Sequence, residues 1–96
     1  MTLKNNLSFE ALIQMYEDQY EHRYDEYQLD ELRDGYDNGL DISIYANPSF
    51  DRVQMRQIRI GLENGVDVYQ YAFVHIDWQR MAEIRLQLEY QRNASY

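Results

Sequence analysis

The sequence predicts an all-α fold: an N-terminal helix plus three tandem helical repeats of period 26 with short extended connections. Three observations predict it. One proline and four glycines leave few helix breakers, and Glu, Gln, Leu, Arg and Met are good helix formers. The chain matches itself when it is shifted by 26 positions, and helix-start and helix-stop signals recur at that spacing. Because 96 residues suit one core, we expect a single domain over residues 1–96.

The self-match carries most of this prediction. Nine positions are identical between residues 24–49 and residues 50–75. For two unrelated stretches of average composition, identity is expected at only about one position in 17. The matched pairs are Asp25/Asp51, Gln28/Gln54, Arg33/Arg59, Gly35/Gly61, Asn38/Asn64, Gly39/Gly65, Asp41/Asp67, Tyr45/Tyr71 and Ala46/Ala72. We therefore expect the N-terminal helix within residues 1–23, repeats over 24–49 and 50–75, and a truncated third repeat over 76–96.

The N-terminal helix is predicted to begin after Ser8, which can accept a hydrogen bond as an N-cap. A stripe of apolar residues follows at helical spacing: Phe9, Leu12, Ile13, Tyr16 and Tyr20. These residues are expected to face the core.

The helices of the repeats have start and stop signals of their own. Asp25, Asp51 and Asp77 stand where N-caps belong, and Gln28 and Gln54 can close capping boxes three residues later. Asn38-Gly39 and Asn64-Gly65 are predicted to end the first two helices, because glycine tolerates the left-handed conformation. The predicted core stripes are Leu29-Leu32-Tyr36, Met55-Ile58-Leu62 and Met81-Ile84-Leu88.

The connections over residues 40–46 and 66–72 alternate β-branched or aromatic residues with polar ones. Seven residues are too few for an independent sheet. We expect short extended segments or turns that place Leu40, Ile42, Val66 and Val68 on the core.

The stretch from Gln54 to Val68, followed by Tyr71-Ala72, resembles a repeat of proteins encoded on phages and conjugative elements of gut bacteria. That repeat has a Gln-Met-x-x-Ile-Arg-x-Gly-Leu-Glu-x-Gly-Leu-Asp-Val core, then Tyr-Ala and a Phe-Asp cap. The resemblance covers about residues 24–90. The first copy departs from it at Tyr36 and Asp37, where the pattern has Leu-Glu, and the third copy lacks both glycines. The resemblance implies an origin on a mobile element and brings no established activity.

The net charge of −8 is confined to the first half of the chain. Residues 1–48 hold eleven acids and three bases, whereas residues 49–96 hold six acids and six arginines. Binding to phosphates needs clustered Lys and Arg, so direct nucleic-acid binding is disfavoured. The arginines of residues 52–92 leave a local exception open.

The residue types disfavour an enzyme, a metal site and a cofactor. The chain has no cysteine, and its two histidines, His22 and His75, lie far apart, whereas a zinc site needs three or four converging ligands. The stretch 34–41 lacks the acidic pattern and distal Glu of a calcium loop. We expect no catalytic residue and no small-molecule substrate. Residues 1–6 lack a signal-like apolar run, and no stretch approaches about 20 apolar residues, so we expect a cytoplasmic protein of a bacterial host cell with no membrane contact.

Tyrosines alternate with acids along the first half of the chain, and tyrosine is enriched at protein interfaces. The expected partner-binding residues are Glu17, Asp18, Tyr20, Glu21, Tyr24, Glu26, Tyr27, Asp30 and Glu31. The alternative is a solvated acidic face with tyrosines packed between helices. Arg33, Arg59 and Arg85 are interpreted either as a binding ladder or as structural ties between a connection and its helix.

These features lead to a hypothesis of a non-enzymatic acidic protein from a mobile element that binds a basic partner. It would inhibit a host nucleic-acid-handling defence protein by nucleic-acid mimicry, as small anti-CRISPR proteins do. One alternative is a structural or scaffolding helical-repeat module. Another is weak nucleic-acid binding through residues 52–92.

Overall fold

The computed structural model describes residues 7–94, and within them it contains four α-helices and no strand. The helices are α1 (Phe9–Tyr20), α2 (Glu26–Asp37), α3 (Arg52–Glu63) and α4 (Trp78–Ala94). The predictions of an all-α fold and of four helices are confirmed. Residues 1–6, for which the sequence predicts no signal peptide, lie outside the described residues, as do Ser95 and Tyr96.

The sequence predicts extended segments or turns for the connections; extended segments are wrong, because the connections contain two short 3₁₀ helices, Ile42–Tyr45 and Val68–Gln70. The Asp41 side chain accepts a hydrogen bond from Ser43 N at 3.1 Å, and Asp67 accepts one from Tyr69 N at 3.2 Å. Such local bonds stabilise a turn in place of an extended strand. The first residue of each 3₁₀ helix, Ile42 or Val68, is buried in the core.

The predicted helix starts are confirmed by their hydrogen bonds. Ser8 accepts from Ala11 N at 3.1 Å. Asp51 accepts from Gln54 N at 2.8 Å while the Gln54 side chain accepts from Asp51 N at 3.0 Å, and Asp25 forms the same capping box with Gln28. Asp77 accepts from Arg80 N at 2.9 Å. Each start is therefore fixed by residues within three positions of it.

Replacement of the Asp51 cap gives a direct test. We expect Asp51→Ala to lower the free energy of unfolding by about 1 kcal/mol, because the amide of Gln54 loses its acceptor. Asp30→Ala is the matched control, since Asp30 is an exposed acid in the interior of α2 and surface substitutions change stability by about 0.5 kcal/mol or less. Urea denaturation of both variants measures the difference, and equal losses would contradict the capping assignment.

The same glutamines also join each helix to the segment that follows it. The Gln28 amide nitrogen donates to Pro48 O at 3.0 Å and to Phe50 O at 2.7 Å. The Gln54 amide nitrogen donates to Val74 O at 3.1 Å and Ile76 O at 2.7 Å. Both glutamines are buried, so these bonds satisfy groups that would otherwise be costly to remove from water.

Two buried tyrosines cross the preceding helices at glycines. Tyr71 Oη donates to Gln57 O at 2.6 Å, and a Cβ on Gly61 would overlap with that hydroxyl. Tyr45 crosses Gly35 in the same way. A larger residue at either glycine would therefore force the tyrosine out of its position.

The core lies between α2, α3 and α4, which pack side by side in a flat molecule of 40 × 32 × 17 Å. Leu32, Met55, Ile58 and Met81 of the predicted stripes are fully buried. The remaining stripe residues, Leu29, Tyr36, Leu62, Ile84 and Leu88, are only partly buried and pack against that core. α1 lies beside α2, where the ring of Phe9 meets that of Tyr36 with centroids 5.5 Å apart.

Candidate partner-binding surface

The end of α1 carries an exposed acidic patch. The helix ends at Glu21, whose φ of 53° is left-handed, and the exposed residues His22 and Arg23 follow. Asp18 and Glu21 are exposed, and Asp18 accepts a hydrogen bond from the Gln14 side chain at 3.0 Å. Both acids line a shallow open cleft at this end of the helix, so they remain available to a partner.

Glu17 lies in the same cleft but also has a structural role. Its carboxylate accepts a hydrogen bond from Tyr24 N at 3.1 Å, and the residue is half-buried. This bond closes the loop between α1 and α2. Tyr20, at the last position of α1, is half-buried as well.

Tyr24 is part of the interior. Its side chain is 7% exposed, and its hydroxyl donates to the backbone oxygen of Ala46, which follows the first 3₁₀ helix. Burial raises the pKa of the Tyr24 phenol far above its usual value. The structure thus places Tyr24 between elements, where a partner cannot reach it without a rearrangement.

Glu31 is also removed from the surface, because two arginines of α3 surround it. Its side chain accepts from Arg56 Nη2 at 3.0 Å and from Arg59 Nε at 2.9 Å, and the residue is 4% exposed. Arg59 donates in addition to Glu63 at 2.8 Å. The buried carboxylate therefore connects α2 to α3 and is not accessible to a partner.

The remaining residues of the set, Glu26, Tyr27 and Asp30, are exposed on α2. The guanidinium of Arg52 lies 4.8 Å from the centre of the Tyr27 ring, a cation–π distance. Tyr27 and Asp30 line a cleft together with Arg33, Arg52 and Arg56. Positive charge thus balances the acids there, whereas the end of α1 is predominantly acidic.

The interpretation that Arg33, Arg59 and Arg85 tie connections to their own helices is wrong. Each arginine pairs with the acid four residues later in its own helix: Asp37, Glu63 or Glu89. Each also contacts a residue of the preceding helix. Arg85 Nε, for example, donates to the Gln57 side chain of α3 at 3.0 Å. The three arginines therefore join successive helices. Asp41 and Asp67 instead cap the 3₁₀ helices.

The arginines of residues 52–92 are largely engaged within the chain. Arg56, Arg59, Arg80 and Arg85 each form an ion pair with a glutamate. Arg52 lies over an aromatic ring, and Arg92 donates to a backbone carbonyl. Little positive charge is left unpaired for a nucleic-acid backbone, which needs a concentrated basic surface.

Two further features concern the described residues 7–94. Within them no group of three or more His, Asp or Glu side chains converges as a metal ion would need. None of the helices in the same part of the chain has the length and apolar character needed to cross a membrane.

No protein-family model matches this chain, and no significant match was found among curated proteins or solved structures.

Proposed function

We propose that this chain is a non-catalytic acidic protein that binds a basic surface of another protein through the exposed end of α1 and the start of α2. The contact residues are Asp18, Glu21 and Glu26, with Tyr27 and Asp30 beside them. The observation that carries the proposal is the concentration of the whole excess charge in the first half of the chain, together with the exposure of these acids. Exposed like charges steer an oppositely charged partner and accelerate its association.

A nucleic-acid-handling defence protein of a bacterial host is the partner class we propose, with the chain encoded on a mobile element. Carboxylates spaced along helices present a negative potential like that of a phosphate backbone to a basic groove. An inhibitor of the anti-CRISPR kind would act in this way. The resemblance of the stretch from Gln54 to Val68 to repeats of phage and conjugative elements supports such an origin.

We also propose that the chain is a tandem array with a period of 26 residues. Pairs of contacts at that spacing support it, among them the two capping boxes and the bonds of Tyr45 and Tyr71. A scaffolding module is the second candidate function. It is favoured by the outer side of α4, where Leu86 is 57% exposed and Tyr90 is 74% exposed.

Charge reversal tests the acidic surface. The triple variant Asp18→Lys, Glu21→Lys, Glu26→Lys should lose the partner, with the largest change in the association rate. A matched control, Glu83→Lys with Gln70→Lys, Gln79→Lys, Gln87→Lys and Asn93→Lys, changes the net charge equally and should retain binding, because these exposed residues lie on α4 and on the second 3₁₀ helix. The measurement is capture from a gut-bacterial lysate, mass-spectrometric identification, and then kinetics with the purified partner.

Added salt should reproduce the effect on the unchanged protein, because screening shortens the reach of exposed charges to about 8 Å at physiological ionic strength. Equal losses in both charge variants would show that only total charge matters. A chain that shifted labelled DNA or RNA directly, with a steep salt dependence, would be a nucleic-acid binder and the proposal would be wrong.

A further inference from the structure

The helices α2 and α3 end in the same way. Asn38-Gly39 and Asn64-Gly65 follow their last residues, and both glycines have a φ of 75°. The amide of Leu40 donates to Gly35 O and that of Val66 to Gly61 O, each at 3.0 Å. The two turns therefore present the same backbone to whatever lies over them.

The second turn is covered by an arginine of the chain itself. Arg92 Nη1 donates to Gly65 O at 3.2 Å, and its guanidinium carbon lies 3.2 Å from the position that a Cβ on Gly65 would take. Val66, Asp67 and Leu88 line the same site. A cation in this place is favourable, because the unsatisfied carbonyls at a helix C-terminus carry partial negative charge.

The first turn has no such cover among the described residues. Apart from Gly39 and its two chain neighbours, no residue of this part of the chain places a heavy atom within 4 Å of the position that a Cβ on Gly39 would take. The reason is helix length. The 17 residues of α4 extend far enough for Arg92 to reach Gly65, whereas α3 ends after 12 residues at its own Asn-Gly stop.

An open cleft of about 410 Å³ lies at this uncovered turn. α1 supplies one wall and the end of α2 with the following connection supplies the other, through Leu12, Tyr16, Tyr36, Leu40 and Asp41. Asp41 Oδ1 accepts hydrogen bonds from the amide and the hydroxyl of Ser43, and Asp41 is exposed. Burial, and next the nearby Asp41 carboxylate, raise the pKa of the Tyr16 phenol, so the acid and the ring are neighbours.

We propose that this cleft binds an arginine side chain of the basic protein partner, with the guanidinium over the Gly39 turn and against the Asp41 carboxylate. The inference rests on the proposed function, since it supposes a basic partner. Arg92 on the equivalent Gly65 turn shows which chemistry this backbone accepts. A planar guanidinium also stacks on aromatic rings and pairs with a carboxylate, and Tyr16 and Tyr36 supply the rings.

N-acetyl-L-arginine methylamide, titrated into ¹⁵N-labelled protein, is the probe. Saturable changes in amide chemical shift are expected at Gly39, Leu40 and Asp41, and none at Gly65, which Arg92 already covers. The lysine analogue should bind more weakly, and the uncharged norleucine analogue should leave these amides unchanged. Absence of a saturable change at Gly39, or an equal change with norleucine, would overturn the proposal.

Three variants make the assignment specific. Asp41→Asn keeps the cap, because asparagine caps as well as aspartate, and should weaken binding of the probe at Gly39 at least several-fold. Asp67→Asn is the matched control and should have no effect there. Arg92→Ala should expose the second turn, so that Gly65 now responds to the probe. Unchanged affinity in Asp41→Asn would contradict the carboxylate's role, and a silent Gly65 in Arg92→Ala would contradict the equivalence of the turns.

The experiments distinguish failure of the arginine-binding cleft from failure of the acidic partner-binding surface. The Asp18, Glu21, Glu26 reversal lies outside the cleft and should leave probe binding within about two-fold at physiological salt, where exposed charges are screened. If the reversal abolishes partner binding while the probe fails to bind, only this inference is wrong. If the probe binds while the reversal has no effect on partner capture, the assignment of the acidic surface is wrong and the assignment of the cleft is supported.

Discussion

Raising the pH above about 10 should destabilise this protein strongly: we expect its free energy of unfolding to fall by about 4 kcal/mol per pH unit. Three tyrosines, Tyr24, Tyr45 and Tyr71, are buried, and burial raises the pKa of each phenol far above its usual value. The unfolded chain therefore releases these protons at a lower pH than the folded chain. Stability is fully present below the unfolded pKa and falls as pH rises towards the folded pKa, by about 1.4 kcal/mol per tyrosine and pH unit.

Phenylalanine variants separate these tyrosines from the exposed ones. Tyr71→Phe should reduce the alkaline slope by about 1.4 kcal/mol per pH unit, because one buried ionisable group is removed. It should also cost about 1 kcal/mol at neutral pH through the lost bond to Gln57 O. Tyr90→Phe is the control and should leave the slope unchanged, since Tyr90 is exposed. Urea unfolding followed by circular dichroism between about pH 9 and pH 11 gives the slopes. Identical slopes in all three proteins would exclude buried tyrosines as the cause.

Ile58→Ala should lower the free energy of unfolding by about 2–5 kcal/mol, because it removes a fully buried side chain and leaves a cavity. Ile58 lies on the middle helix of the three that pack side by side. The cavity is thus surrounded by structure that cannot readily collapse into it. Thermal or urea denaturation monitored by circular dichroism measures the loss.

Ile84→Ala is the matched comparison. Ile84 holds the position in the stripe of α4 that Ile58 holds in α3, but Ile84 is only partly buried. We expect a smaller loss for Ile84→Ala than for Ile58→Ala, because part of the Ile84 side chain already contacts water. A larger loss at Ile84 would mean that the outer side of α4 is covered in solution.

The helix boundaries could be predicted from the sequence because each is set by neighbouring residues. Asp51 and Gln54 close a capping box across three positions, and Gly39 and Gly65 supply the left-handed residue after their helices. The location of the excess charge was also readable, since it needs only a count along the chain. Five residues of the predicted partner-binding set are exposed: Asp18, Glu21, Glu26, Tyr27 and Asp30.

Only the tertiary structure decided which acids and tyrosines of the same stretch are buried. Glu31 looks like Asp30 in the sequence, but Arg56 and Arg59, 25 and 28 residues later, enclose it. The hydroxyl of Tyr24 likewise finds its acceptor 22 residues away. The connections became 3₁₀ helices because an aspartate caps each one and an apolar side chain anchors it in the core.

The open cleft depends on tertiary structure in the same way. Identical Asn-Gly stops end α2 and α3, yet within residues 7–94 only the turn at Gly65 is covered, because α4 is long enough for Arg92 to reach it. Local hydrogen bonds, which the sequence encodes within a few positions, fix where each helix begins and ends. Helix lengths and pairings between distant residues determine which surfaces are covered. Such pairings exist only once the helices have packed together.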